Sequence, residues 1–183
     1  MSFVNAHYIA YATDLGYSPL VTAGSFSLIG AMSITGAIIL GYMSDKGGRR
    51  QFLSFSYVLR ALGFTIVLVS MGIPFLSIPP LGLFALLFGI ALIGLSWTSV
   101  VAITAAYASD RFGVSRFGTI YGLIFAVMPI GAGLGASLGG YLHDIRGSYD
   151  IALWSILLPL LGVSVLIYFT RDRQQAISRT ISP

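Results

Sequence analysis

Two side chains able to carry a positive charge stand inside stretches that are otherwise uncharged. Arg60 lies nine residues beyond Gln51 in the run beginning at Phe52, and His7 lies in the opening stretch Phe3–Ala12. An arginine binds a carboxylate through two parallel N–H groups, and a histidine exchanges a proton near neutral pH. If its run is helical, Arg60 sits about 13 Å into it, a depth at which a charge costs about 2.5–3.5 kcal/mol on insertion scales. Two readings are open for it: contact with an anion, or a stem that carries the charge back to the nearer membrane face. His7 shares a helical face with Tyr11, four residues on, and Asn5 lies on the same segment. Trp97, on one face with Val101 and Thr104, reads either as a wall of a binding site or as packing. A second kind of chemistry is concentrated in Gly41-Tyr-Met-Ser-Asp45-Lys46-Gly47-Gly48-Arg49-Arg50, where one carboxylate, three cations and a glycine pair separate two apolar runs.

The elements that must hold these residues follow from composition. Hydrophobic residues make up 56% of the 183-residue chain and charged residues 9%, whereas soluble domains carry about 25% charge. Sixteen formal charges, ten basic and six acidic, cannot cover a water-facing surface of this size, so the solvent is a bilayer. The net charge of +4 is no nucleic-acid signal, because the cations gather beside apolar spans. The chain has no cysteine, which removes disulfides and thiolate metal sites. The first twelve residues have neither the basic start nor the cleavage site of a signal peptide.

A membrane helix needs about 20 apolar residues. Five segments supply them: Pro19–Tyr42, Phe52–Met71, Leu81–Ala106, Phe117–Leu142 and Ile151–Thr170. A sixth, Phe3–Ala12, would span only about 15 Å, so it is either re-entrant or the later part of a helix whose first half is missing. If the Asp45–Arg50 turn is cytoplasmic, Lys46, Arg49, Arg50, Arg111, Arg116, Arg171, Arg173 and Arg179 all face inward and only Arg146 faces outward, a strong positive-inside bias. The tail 173–183 is then polar and cytoplasmic.

The chain also resembles itself. Tyr11-Ala-Thr-Asp14 returns as Tyr107-Ala-Ser-Asp110, and Gly41-Tyr-Met-Ser-Asp45-Lys-Gly-Gly48 as Gly140-Tyr-Leu-His-Asp144-Ile-Arg-Gly147. The repeat unit is three helices, residues 1–72 and 81–170. An odd number of spans inverts the second copy in the membrane, which is a transporter architecture.

With these residues in view, Gly41–Arg50 resembles the loop signature G-x-x-x-D-(R/K)-x-G-R-R of the major facilitator superfamily. The stretches His7–Gly16, Asp110–Gly122 and Gly140–Tyr149 are similar to its monocarboxylate and oxalate–formate antiporter branch. The resemblance implies an all-α membrane protein: six helices, residues 1–172, forming the C-terminal half of a twelve-helix fold with its first helix truncated. It further implies alternating-access transport of small organic anions in a bacterial inner membrane, with a missing N-terminal half and the lipid bilayer as partners. Gly41, Asp45, Lys46, Gly48, Arg49 and Arg50 would form a cytoplasmic gate, and Asn5, His7, Tyr11, Arg60 and Trp97 would belong to the substrate cavity. Gly131, Gly135 and Gly139, at four-residue spacing behind Pro129, would pack helices closely. No cofactor, metal or nucleic acid is expected.

Other functions leave fainter traces. No phosphate-binding loop is present, and Gly135-Ala-Ser137-Leu-Gly139 matches a nucleophile elbow only in letters, since it falls inside an apolar helix. An assembly module of the membrane, or a half-size transporter that dimerises, stays open as the alternative.

Overall fold

A computed structural model describes residues 2–14, 16–70, 81–147 and 150–170; within them, the side chains of residues 2, 3, 5, 6, 11, 14, 146, 150, 152 and 153 fall outside the description. These residues form six α-helices and no strand: α1 Ser2–Asp14, α2 Pro19–Gly47, α3 Arg49–Ser70, α4 Gly82–Phe112, α5 Val114–Arg146 and α6 Asp150–Phe169. The expected all-α, six-helix architecture is the observed one. Residues 71–80, from the end of the second expected span up to the third, and the polar tail 173–183 lie outside the described residues.

The helices overrun the apolar segments that nucleate them. α2 starts on Pro19, whose missing N–H is no loss in a first turn, behind Ser18, whose hydroxyl accepts from Val21 N at 3.4 Å. It continues past Tyr42 through Asp45 and Lys46 to Gly47. The expected turn therefore shrinks to one residue, Gly48, at φ +102°; Gly113 at φ +82° does the same between α4 and α5. Both angles are open to glycine at little cost. Such short links force α2/α3 and α4/α5 to run antiparallel, so the acids and arginines of the signature become the last turn of one helix and the first of the next.

Four helices are long and apolar enough to cross a bilayer, Pro19–Gly47, Arg49–Ser70, Gly82–Phe112 and Val114–Ile145, and α6 adds the apolar run Trp154–Phe169. α4 is the hub, packing most extensively against α2 and α3, while α3 also packs on α6. The close approaches are made by glycine. A Cβ on Gly36 of α2 would run into the backbone of Leu95 in α4, and Gly63 of α3 and Gly89 of α4 face each other, each within 3 Å of the other's carbonyl oxygen if a Cβ were added. The main core joins Val4, Tyr8 and Ala12, one face of α1, to Ile29, Phe64, Val67, Leu86, Ile90, Ile93 and Leu157. Hydroxyls fasten helices across it. Tyr8 Oη and Ser25 Oγ are 2.6 Å apart, and Ser54 and Ser164 donate to each other's carbonyls at 2.9 and 3.1 Å.

Against this block α5 stands apart. Gly139 is the one buried position among its described residues, and Gly131 and Gly135 are exposed.

The two G-Y-x-x-D segments end their helices alike. Gly48 N donates to Ser44 O at 3.2 Å, and Gly147 N donates to His143 O at 2.7 Å, at matched positions of the repeat.

Candidate functional site

The arginine pair at the start of α3 gathers the ends of three other helices. Arg49 Nη1 donates to Asp45 of α2, one turn back across Gly48, and to Ser44 Oγ at 3.2 Å; its Nε donates to Asp110 Oδ2, near the end of α4, at 3.0 Å. Arg50 Nη1 donates to the carbonyl oxygen of Thr170, directly after α6, and its guanidinium carbon lies 5.9 Å from the centre of the Tyr168 ring.

The electrostatics explain the position. Two cations at a helix N-terminus oppose the dipole of their own helix. Here they face the negative ends of α2, α4 and α6, where cations are favoured. The site is wet: the side chains of Arg49, Asp45 and Asp110 are 26%, 58% and 46% exposed. Exposed pairs of this kind contribute about 0.2–1 kcal/mol, enough to bias an arrangement of helices and too little to lock it. Beside them a cavity of about 200 Å³ opens between α2 and α4, lined by Gly41, Ser44, Asp45, Arg49, Ala102, Ile103 and Ala106.

The structure sorts the sequence-derived residues. Asp45, Arg49 and Arg50 come together. Lys46 instead lies over the Tyr42 ring, 4.4 Å from its centre, and is exposed. Gly41 lines the cavity with open space at its Cα, and Gly48 makes the turn. Asp110 was missed as the partner of Arg49. Its signal was present, since α2 and α4 must end on one face and the Y-A-(T/S)-D repeat puts an acid there.

Arg60 does not reach for either membrane face. It is buried, with Nε 3.1 Å from Ser96 Oγ and Nη2 donating to the carbonyl of Ser96. Trp97 is partly buried against the main core. His7 Nε2 lies 2.9 Å from the carbonyl oxygen of Ala136. Since a carbonyl only accepts, the ring donates here, and α1 is tied to α5. The side chains of Asn5 and Tyr11 lie outside the described ones. Ser137 lies within α5, as its apolar surroundings implied.

A bundle of membrane-length apolar helices, with its described cations other than Arg60 collected near helix ends, is a multi-pass membrane protein. The family model described as the Major Facilitator Superfamily matches residues 1–180, and the chain belongs to that superfamily. It is 28% identical to the "Uncharacterized MFS-type transporter YcxA" of Bacillus subtilis over 179 residues, covering 96% of this chain and 42% of that protein. It is 32% identical to human "Monocarboxylate transporter 10" over 162 residues (83% and 29%), and 24% identical to "Monocarboxylate transporter 12-B" of Danio rerio over 177 residues (92% and 36%). The chain thus spans less than half the length of the curated relatives it matches.

Proposed function

We propose that this chain is the C-terminal six-helix half of a secondary transporter that moves small organic anions, monocarboxylates above all, by alternating access. The observation that carries this reading is the network that ties Asp45 and Arg49 of the superfamily's loop signature to Asp110 of α4. It joins the ends of α2 and α4 by bonds weak enough to break and re-form as the two halves rock. In this reading, the face holding Arg49 and Arg50 is cytoplasmic, and the C-terminus lies on the same side of a bacterial inner membrane.

The partner is the preceding half. α5 exposes Leu123, Val127, Ile130, Leu134 and Leu138, and α2 exposes Leu20, Ile34 and Ile38. The small residues Gly131 and Gly135 lie open on α5, a surface suited to close contact with a helix. The substrate passes between the halves, with His7, Tyr11, Asn5 and Trp97 as cavity candidates. The monocarboxylate assignment rests on the relatives' names and on the chain's poverty in acids.

The test is uptake in proteoliposomes by this chain joined to six preceding helices, with a panel of labelled monocarboxylates. Saturable uptake of at least one supports the reading, and no uptake above empty vesicles removes it. Asp45→Asn is expected to lower the rate at unchanged protein level; wild-type uptake by that variant ends the gate assignment.

A further inference from the structure

We propose that Arg60 is a positioning residue: its guanidinium clamps the α4 backbone at the Ser96–Trp97 step, and so fixes how α4 presents Trp97. The side chain is 5% exposed and lies mid-span on α3. Nε donates to Ser96 Oγ at 3.1 Å, and Nη2 donates to the Ser96 carbonyl and, at 3.4 Å, to that of Trp97. The Ser96 hydroxyl spends its own proton on Ile93 O, 2.8 Å away, which leaves its lone pairs for the arginine. Serine and arginine are therefore matched in donor and acceptor.

Among the described residues, no carboxylate pairs with this charge. All six acids of the sequence, Asp14, Asp45, Asp110, Asp144, Asp150 and Asp172, lie near or beyond a helix end. Peptide dipoles and the Tyr57 ring, whose centre is 5.7 Å from the guanidinium carbon, take that place.

The two carbonyls belong to a continuous helix and are the normal acceptors for residues 100 and 101. A neutral side chain would add little there. A charged planar fork reaches the hydroxyl and both carbonyls at once, which a lysine cannot do. One turn along α3, Gly63 meets Gly89 at backbone contact. Contact there and the clamp here hold α4 at two points on one face. Trp97, partly buried against the core, is the residue whose backbone the clamp grips.

The chain has two tryptophans, Trp97 and Trp154, so Trp154→Phe leaves one reporter. The 183-residue chain in that background is placed in phosphatidylcholine nanodiscs. Arg60→Met is expected to shift the Trp97 emission maximum and to change its acrylamide quenching constant, because all three bonds that hold the Ser96–Trp97 step are lost. Arg60→Lys should recover less than half of that change. Ser96→Ala, which removes only the Oγ acceptor, should move both readouts the same way by less, and it stands in if Arg60→Met fails to insert. Wild-type emission and quenching in both Arg60→Lys and Ser96→Ala overturn the clamp. Full recovery by Arg60→Lys overturns it too, because charge alone would then suffice. Fluorescence reads the position of Trp97 whatever the protein carries, so a failed uptake assay leaves this result standing.

Discussion

Arg49 and Arg50 are neighbours with separate tasks. Arg49 spans Asp45 and Asp110, and Arg50 takes the carbonyl that follows α6. Because the Arg49 pairs are partly exposed, each carboxylate is worth less than about 1 kcal/mol. Asp45→Asn and Asp110→Asn should therefore each lower the melting temperature of the detergent-purified chain only slightly. Arg49→Ala should cost about as much as the double Asp45→Asn/Asp110→Asn variant, since all three changes dismantle one network. A much larger loss for Arg49→Ala would mean that the arginine holds the helix ends by contacts other than these carboxylates. High salt should shrink all of these differences, as exposed charges are screened.

At the scale of elements, α4 is fixed by glycines that the sequence did not advertise. Regular spacing drew attention to Gly131, Gly135 and Gly139 on α5; among the described residues, Gly36, Gly63, Gly89 and Gly94 also stand at close backbone approaches, and they follow no four-residue rule. The reason is geometric: a glycine matters where two particular helices cross, and the crossing point depends on partners far away in sequence. Helix number, class and turn positions were legible because they depend on local runs of apolar residues and on breakers such as Gly48 and Gly113. The Arg60–Ser96 pairing, 36 residues apart, was not, because burial and bond partner are properties of the assembled pair. Gly36→Ala is expected to destabilise the chain by several kcal/mol, through forced separation of α2 and α4. Gly41→Ala, five residues along the same helix with open space at its Cα, should melt within about 1 kcal/mol of the parent. Ser54→Ala removes one half of the exchange with Ser164 and should cost about 0.6 kcal/mol, the average for hydrogen bonds between membrane helices. Thermal unfolding followed by circular dichroism compares all three.

For the molecule as a whole, the distribution of burial points past the chain. α3 and α4 have half of their apolar windows buried, and α5 has none. Lipid can cover an apolar helix, so exposure alone does not name a partner. The exposed small residues of α5 are less easily explained by lipid, because close backbone contact is what they permit. The absence of cysteine makes this measurable. A single cysteine at Gly135 or Leu138 on α5, and a control at Phe84 on the exposed side of α4, can each be labelled by a membrane-permeant maleimide. With the chain alone, all three should react. With the preceding six helices co-expressed, labelling at 135 and 138 should fall severalfold while that at 84 persists. Equal labelling of all three with the added helices would leave the α5 face to lipid and remove it as the seam between halves. Protection that already exists in the chain alone, and that rises with its concentration, would instead make a second copy the occupant of that face.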